Sequence, residues 1–222
     1  MSAARVVLWR HGRTASNAAG RFQGQLDVPL DGVGREQARR AAAVLARLEP
    51  ARLVASDLSR AADTAQALAD LVDLPVLTDP DLRELHAGVW QGLLAREIRE
   101  GWPQMHAAWR GGEDVAVGGG ERRSDVGRRV AAAVRRHAEA TADGGTLVLA
   151  SHGGAVRAGV LELLGLPAGS WPRLGGLANC RWAVLAARED GWSLTGYDLG
   201  PDPEPDPAPS GVAGFGPEVA TV

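Results

Sequence analysis

The sequence predicts an α/β fold, a three-layer α/β/α sandwich with a mostly parallel central sheet. Two patterns lead there. Short apolar runs alternate along the chain with stretches whose apolar residues recur at helical spacing. That β-α-β-α order calls for parallel strands with helices over both faces of the sheet. A chain of 222 residues, 45% hydrophobic and 23% charged, is long enough to bury such a core in one domain.

The first strand is expected at residues 6–9, an apolar run stopped by the turn-prone segment HGRT. From Gly34 onward Ala38, Ala41, Ala42, Leu45 and Leu48 form a stripe, with Arg35, Arg39 and Arg47 largely off it, so an amphipathic helix runs until just before Pro50. A second strand is expected at 52–56, a helix at 58–72 on Ala61, Ala65, Leu68 and Val72, and a third strand near 75–77. Residues 90–120 are mixed: a short helix at 93–99, then tryptophans in an irregular stretch closed by Gly118, Gly119 and Gly120, together a cover of loop and helix. Val126, Val130, Ala133 and His137 mark another helix. A turn at 143–145 and the strongly apolar strand 146–150 follow, then SHGG opening a helix through Leu164. Strands at 180–187 and 192–197, joined by a turn at Asp190 and Gly191, close the domain.

Past Gly200 the text changes to PDPEPDPAPSG. Proline at nearly every second position removes backbone donors, so residues 1–200 are expected to form the domain and 201–222 a flexible acidic tail. Other features exclude whole classes of function. No run approaches the roughly 18 apolar residues of a membrane span, and a net charge of −3 gives no global attraction to nucleic acid. Cys180 is the only cysteine, which rules out an internal disulfide framework and a thiolate-rich metal site and suits a reducing compartment. The first eight residues lack the pattern of a secretory signal, so a cytoplasmic location is expected. All 24 basic residues are arginine, a bias without functional content.

Two short elements carry chemistry: Arg10-His11-Gly12 after the first strand, and His152-Gly153-Gly154 after the strand at 146–150. Both sit at C-terminal strand ends, where open α/β sheets gather ligands. Either histidine alone reads more readily as an ordinary hydrogen-bonded loop imidazole. Their repetition, with Arg60 in SDLSRAADTA and Glu84 in LRELHAGVWQG, makes a set suited to phosphoryl transfer, because the planar guanidinium matches phosphate oxygens and stays charged.

LWRHGRTASN, GQLDVPLDGVGREQA, SDLSRAADTA, LRELHAGVWQG and ASHGG, in that order, resemble the histidine phosphatase superfamily, the phosphoglycerate mutase-like family, over about residues 5–200. The resemblance implies the phosphoglycerate mutase-like fold and a phosphomonoester hydrolase. It makes His11 the nucleophile that becomes phosphohistidine. Arg10, Arg60 and His152 then line the phosphate pocket, Asn17 lies beside it, Glu84 protonates the leaving oxygen, and the Gly153 amide is an added donor. His11 is expected to be neutral and His152 protonated, since two arginines and a charged imidazole can neutralise phosphate without metal or other cofactor. Gln23 and Gly24 fall where relatives touch the non-transferred part of the substrate. His86 either lines the pocket or satisfies a loop carbonyl.

FQGQLDVPL, GGGERRSDV and especially LPAGSWPRLGGLANCRW are similar to the glucosyl-3-phosphoglycerate phosphatases within that family. This implies a small phosphorylated sugar or glycerate as partner, with Gln23, His86 and Arg123 as contacts for its sugar and carboxylate, and a homodimer as a reasonable assembly. Arg13 and Arg122 depart from the family pattern and either face the cleft or are plain exposed arginines. The runners-up are a phosphoglycerate mutase or broad acid phosphatase, disfavoured for the mutase by the short connection between Glu84 and His152, and a non-catalytic phospholigand-binding module, disfavoured because every working group is present.

Overall fold

The computed structural model describes residues 3–201, so the tail expected over 201–222 lies, beyond Pro201, outside the described residues. In chain order the elements are β1 (Arg5–Arg10), the short α1 (Ala15–Ala18), α2 (Gly32–Leu45), β2 (Pro50–Ala55), α3 (Ser59–Val72), β3 (Val76–Thr78), α4 (Ala95–Gly101), α5 (Pro103–Arg110), α6 (Arg123–Glu139), β4 (Thr146–Ser151), α7 (Gly153–Leu163), β5 (Trp182–Arg188) and β6 (Gly191–Leu199). The six strands form one sheet in the order β3-β2-β4-β1-β5-β6. The first three neighbouring pairs are parallel, and β5 and β6 close one edge antiparallel.

Successive side chains of a strand point to opposite faces, and here both faces are dry. Val6 and Leu8 of β1 join Val54, Leu147 and Leu149 in one core, built with Val126, Val130 and Val134 of α6 and Ala155, Val156 and Val160 of α7. Val7 and Trp9 join Leu53, Ala55, Val148 and Ala150 in the other, under Ala38, Ala41, Ala42 and Leu45 of α2 and Ala65 and Leu68 of α3. All six residues of β4 are buried, as its unbroken apolar run requires. These two cores are the two interfaces of the three-layer sandwich.

Differences from the sequence expectation have local causes. Pro50 does more than end a helix: α2 stops at Leu45, a single 3-10 turn follows, Glu49 adopts a left-handed conformation (φ 49°), and Pro50 itself opens β2. The stretch expected to be irregular after residue 99 holds a second helix, α5, because Pro103 occupies the first helical turn, where its missing N–H costs nothing. Helix α6 begins at Arg123, three residues ahead of its apolar stripe. Its Gly127 lies against α7, where a Cβ would come within 3.0 Å of the Ala158 carbonyl oxygen. The cover formed by α4, α5 and the turn before them packs around fully buried Trp90, whose ring meets Phe22 at 6.1 Å and Trp109 at 6.0 Å, both steeply inclined.

Candidate active site

Strands β1 and β4 run side by side in register, Arg10 opposite Ser151, so the residues that follow emerge together at the C-terminal ends of the two central strands. The His11 amide donates to the Ser151 carbonyl at 2.9 Å, and the rings of His11 and His152 lie edge to face with centroids 5.1 Å apart. His11 is 3% exposed and His152 fully buried.

The loop after β1 fixes the first ring. The Gly12 amide donates to Thr64 Oγ1 at 3.1 Å, and a Cβ on Gly12 would lie 2.3 Å from the Gly34 carbonyl oxygen, so only glycine lets this loop close on the first turn of α2. His11 Nδ1 lies 2.7 Å from the Gly12 carbonyl oxygen. A carbonyl can only accept, so Nδ1 carries the proton and Nε2 keeps its lone pair. Burial, then the charges of Arg60 and Arg10, push the His11 pKa well below the ordinary imidazole value, against the bond to Gly12. The result is a neutral imidazole with a basic nitrogen available for attack.

Arg60, the second residue of α3, is fully buried and held by three bonds: Nη1 to the Leu26 carbonyl at 2.7 Å, Nη2 to the Gly24 carbonyl at 2.8 Å and Nε to His152 Nδ1 at 3.2 Å. Burial lowers its pKa to about 10, with Glu84 opposing, so it stays charged at neutral pH. Because a guanidinium only donates, His152 Nδ1 must accept and its proton must sit on Nε2. Burial, then Arg60, then His11 hold His152 well below the usual imidazole range. This corrects the expectation of a protonated His152. The two rings differ in tautomer, not in charge.

Two buried donors in this cluster have no partner: His152 Nε2 and Arg10 Nε. Arg10 is anchored through Nη1 to the Leu177 carbonyl, and burial lowers its pKa against the opposing charge of Glu84. A basic nitrogen beside two orphaned donors is an arrangement an anion completes.

Glu84 reaches the cluster from the turn after β3. Its Oε2 accepts the Gly154 amide at 2.9 Å and its Oε1 the Leu85 amide at 2.8 Å. The carboxylate therefore caps the first turn of α7, the helix that His152 begins. Arg10, His11, Arg60, Glu84 and His152 are thus brought together from four separate segments.

The remaining expected residues divide. Asn17 caps α1, its Oδ1 accepting from the Thr14 amide at 3.2 Å and from Asn179 Nδ2 at 3.3 Å, and buried Gln23 accepts from Thr14 Oγ1 at 2.9 Å; both belong to the His11 loop. Gly24 (φ +53°) gives its carbonyl to Arg60, so its visible part is to hold that arginine. Gly153 packs on Arg10, whose Nε would lie 3.2 Å from an added Cβ. His86 is exposed, its Nδ1 accepting the Gly88 amide at 3.3 Å. Arg123 is not brought to the cluster. It is 3% exposed, and its guanidinium lies between the rings of Trp109 (4.7 Å) and Trp171 (4.2 Å). Arg13 pairs with Asp31 at 2.8 Å and Arg122 with the Asp114 carbonyl, so both have ordinary surface partners.

Sequence reasoning missed three supports. Thr64 holds the Gly12 amide, Asn179 donates to the His11 carbonyl at 3.0 Å, and Gln25 Nε2 donates to the Glu84 carbonyl at 3.0 Å. Thr64 lies one turn after Arg60 in its motif and Asn179 within LANCRW, and nothing but those neighbours signalled either one. Among the described residues no group of three or more His, Cys, Asp or Glu side chains is placed to hold a metal ion, and no helix is long and apolar enough to cross a membrane.

The chain is similar to known proteins in sequence and in fold. The profile of the histidine phosphatase superfamily (branch 1) matches residues 6–199. A glucosyl-3-phosphoglycerate phosphatase of Mycolicibacterium vanbaalenii is 45% identical over 199 residues, 86% of this chain and 88% of that protein. A "Probable phosphoglycerate mutase" of Yersinia pestis is 38% identical over 197 residues, 86% of this chain and 89% of that one. The structure of a mycobacterial glucosyl-3-phosphoglycerate phosphatase in complex with VO3 superimposes with a TM-score of 0.83 at 40% identity, covering 89% of this chain and all of that one.

Proposed function

The chain belongs to the histidine phosphatase superfamily and is a phosphomonoester hydrolase; on that premise we propose that it dephosphorylates glucosyl-3-phosphoglycerate, or a closely related phosphorylated sugar or glycerate, through a phosphohistidine at His11. The observation that carries the reading is the lone pair on buried His11 Nε2 in one cluster with the orphaned donors of His152 and Arg10.

In the first step His11 Nε2 attacks phosphorus in line, forming the N–P bond as the P–O ester bond breaks. Glu84, the carboxylate that caps α7, takes up a proton as the anionic ester binds beside it and gives that proton to the departing alkoxide, which is too basic to leave unprotonated near neutral pH. Arg10, Arg60 and the Nε2–H of neutral His152 hold the equatorial oxygens, with the Gly153 amide as a further donor at the start of α7. In the second step water gives its proton to Glu84 and attacks phosphorus. The N–P bond breaks, inorganic phosphate leaves, and both residues return to their starting states. The charge on phosphate is met by fixed guanidinium groups, so the reaction is proposed to need no metal.

Asn17 is assigned a place beside the phosphate pocket, and Gln23 and Gly24 to the non-transferred part of the substrate, with His86 at the rim. Arg123, held between two indoles, has no such support. The name of the M. vanbaalenii relative and the LPAGSWPRLGGLANCRW segment favour the glucosyl substrate. A cytoplasmic homodimer completes the proposal, its location resting on the single cysteine and its assembly testable by sedimentation.

The test compares kcat/KM for glucosyl-3-phosphoglycerate, 3-phosphoglycerate, a hexose phosphate and p-nitrophenyl phosphate, each with and without EDTA. Preference for the first, unchanged by chelator, is expected. Equal rates would overturn the substrate assignment. The Yersinia relative makes a mutase the second reading, and conversion of 3-phosphoglycerate to 2-phosphoglycerate would favour it.

A further inference from the structure

Glu84 sits on an irregular segment between β3 and the turn at Gly88–Trp90, with no helix or strand of its own to fix its height over the nucleophile. A side chain from α6 supplies that support, beside Gln25, whose Nε2 donates to the Glu84 carbonyl. Arg129 Nη1 donates to the carbonyls of Asp81 (2.8 Å) and Arg83 (2.6 Å), and its Nη2 donates to the carbonyl of Glu84 itself (3.0 Å). Glu121 takes the other two protons, Oε1 from Nε at 2.8 Å and Oε2 from Nη2 at 2.9 Å. A guanidinium has five N–H donors, and here all five meet an acceptor.

The clamp is shielded and anchored. The Arg129 side chain is 17% exposed and that of Glu121 26%. Glu121 Oε2 also accepts the His86 amide at 2.8 Å, and the bonds from Arg129 and His86 keep the Glu121 carboxyl below its ordinary range despite burial. Both sides of the Glu84 segment are therefore tied to one ion pair. Helix α6 packs along α7, whose first turn presents His152 and the Gly154 amide that holds the Glu84 carboxylate. The same guanidinium thus ties the backbone of Glu84 to the helix pair that carries its reaction partners.

We propose that Arg129, oriented by Glu121, is a positioning residue for proton transfer by Glu84. It touches neither substrate nor phosphorus, and acts by holding the Asp81–Arg83–Glu84 carbonyls so that the carboxyl group meets the leaving oxygen. The inference rests on the role given to Glu84 above. Lysine is no equivalent, since a compact ammonium with three donors cannot satisfy five acceptors spread over a planar fork.

The test is the dependence on leaving group, which a general structural role would not alter. The quantity is kcat/KM, which covers steps up to departure of the alcohol, measured on the full-length protein with glycerol phosphate, whose alkoxide needs a proton, and p-nitrophenyl phosphate, whose phenolate does not. For Arg129→Gln we expect a loss of about 100-fold on the alkyl ester and under about 3-fold on the aryl ester, with Arg129→Lys between wild type and Gln. Adding Arg129→Gln to Glu84→Gln should cost nothing further on the alkyl ester. Equal losses on both esters, or full additivity with Glu84→Gln, would overturn the inference. Should Arg129→Gln fail to fold, Glu121→Gln must give the same selective loss, and an unselective one counts against it equally. A Glu84→Gln enzyme without leaving-group selectivity would overturn the role of Glu84 and this inference together, whereas a selective Glu84→Gln beside an unselective Arg129→Gln overturns the inference alone.

Discussion

Replacing Gly154 with alanine separates stability from catalysis more cleanly than removing any catalytic group. Gly154 is the second residue of α7, and its amide donates to Glu84 Oε2 at 2.9 Å. A Cβ built there would stand 2.5 Å from Glu84 Oε1 and 3.1 Å from its carboxyl carbon, where ordinary contact begins at 3.4 Å, and the three nearest atoms all belong to that carboxyl group. The helix and the core are therefore not asked to move. The carboxylate, at the end of a flexible side chain, must retreat by on the order of 1 Å, a misplacement that can cost about 100-fold in rate. Alanine in a helix is favoured over glycine by about 0.5–1 kcal/mol, so the melting temperature should hold or rise by about 2 °C. The assay is kcat/KM on glycerol phosphate and p-nitrophenyl phosphate beside a thermal melt: loss on the alkyl ester, near-normal rate on the aryl ester and an intact melt. Wild-type activity on the alkyl ester would refute the placement of Glu84 as proton donor, and so would a collapse on both esters with the fold intact.

Acid should weaken the fold through the two buried imidazoles, whose pKa values burial and then Arg60 depress. The unfolded chain protonates both below about pH 6.5 while the folded chain does not, so their contribution is complete above that pH. It then falls toward the folded-state values by about 1.4 kcal/mol per pH unit per histidine. Urea titrations between pH 7.5 and 5.5 should show this slope, and His152→Gln should lower it by one histidine's share; an unchanged slope would contradict the neutral state of His152. Trp90→Ala removes a fully buried ring packed against Phe22 and Trp109, and should cost about 3–5 kcal/mol while raising KM more than it lowers kcat, as urea unfolding and steady-state kinetics would reveal. Asn179→Ala removes one of the bonds to the His11 carbonyl and one to Asn17 Oδ1. It should cost about 0.5–1.5 kcal/mol and reduce kcat/KM on both esters alike, since it acts on the nucleophile loop; a loss confined to the alkyl ester would argue otherwise.

The parts of the molecule legible in the sequence were those with a period or a repeated word. The stripe Ala38-Ala41-Ala42-Leu45 and the unbroken apolar run of β4 located their elements because burial on one face or both leaves its own spacing. The two HG words located the site because each stands at the end of a strand and the strands prove to be neighbours in register. Helix α5 was hidden in the stretch expected to be irregular, where its apolar spacing is short and a proline begins the helix. Thr64, Gln25 and Arg129 left no mark because each acts on a backbone amide or carbonyl, a partner that any residue type supplies. Arg123 misled for a related reason: its charge is buried between two indole faces that lie far from it in sequence. The protonation of His152 depended on which nitrogen Arg60 meets, a detail of rotamer that no spacing encodes.

The most direct test of the whole account is to look for the phosphorylated imidazole. Mixing enzyme with phosphorus-32-labelled substrate and quenching in alkali within a turnover should leave one acid-labile label per active chain, and peptide mapping should put it on residue 11. An enzyme that releases a burst of alcohol yet carries no label, or carries it on His152, would contradict the assignment of nucleophile on which every role described for the site depends.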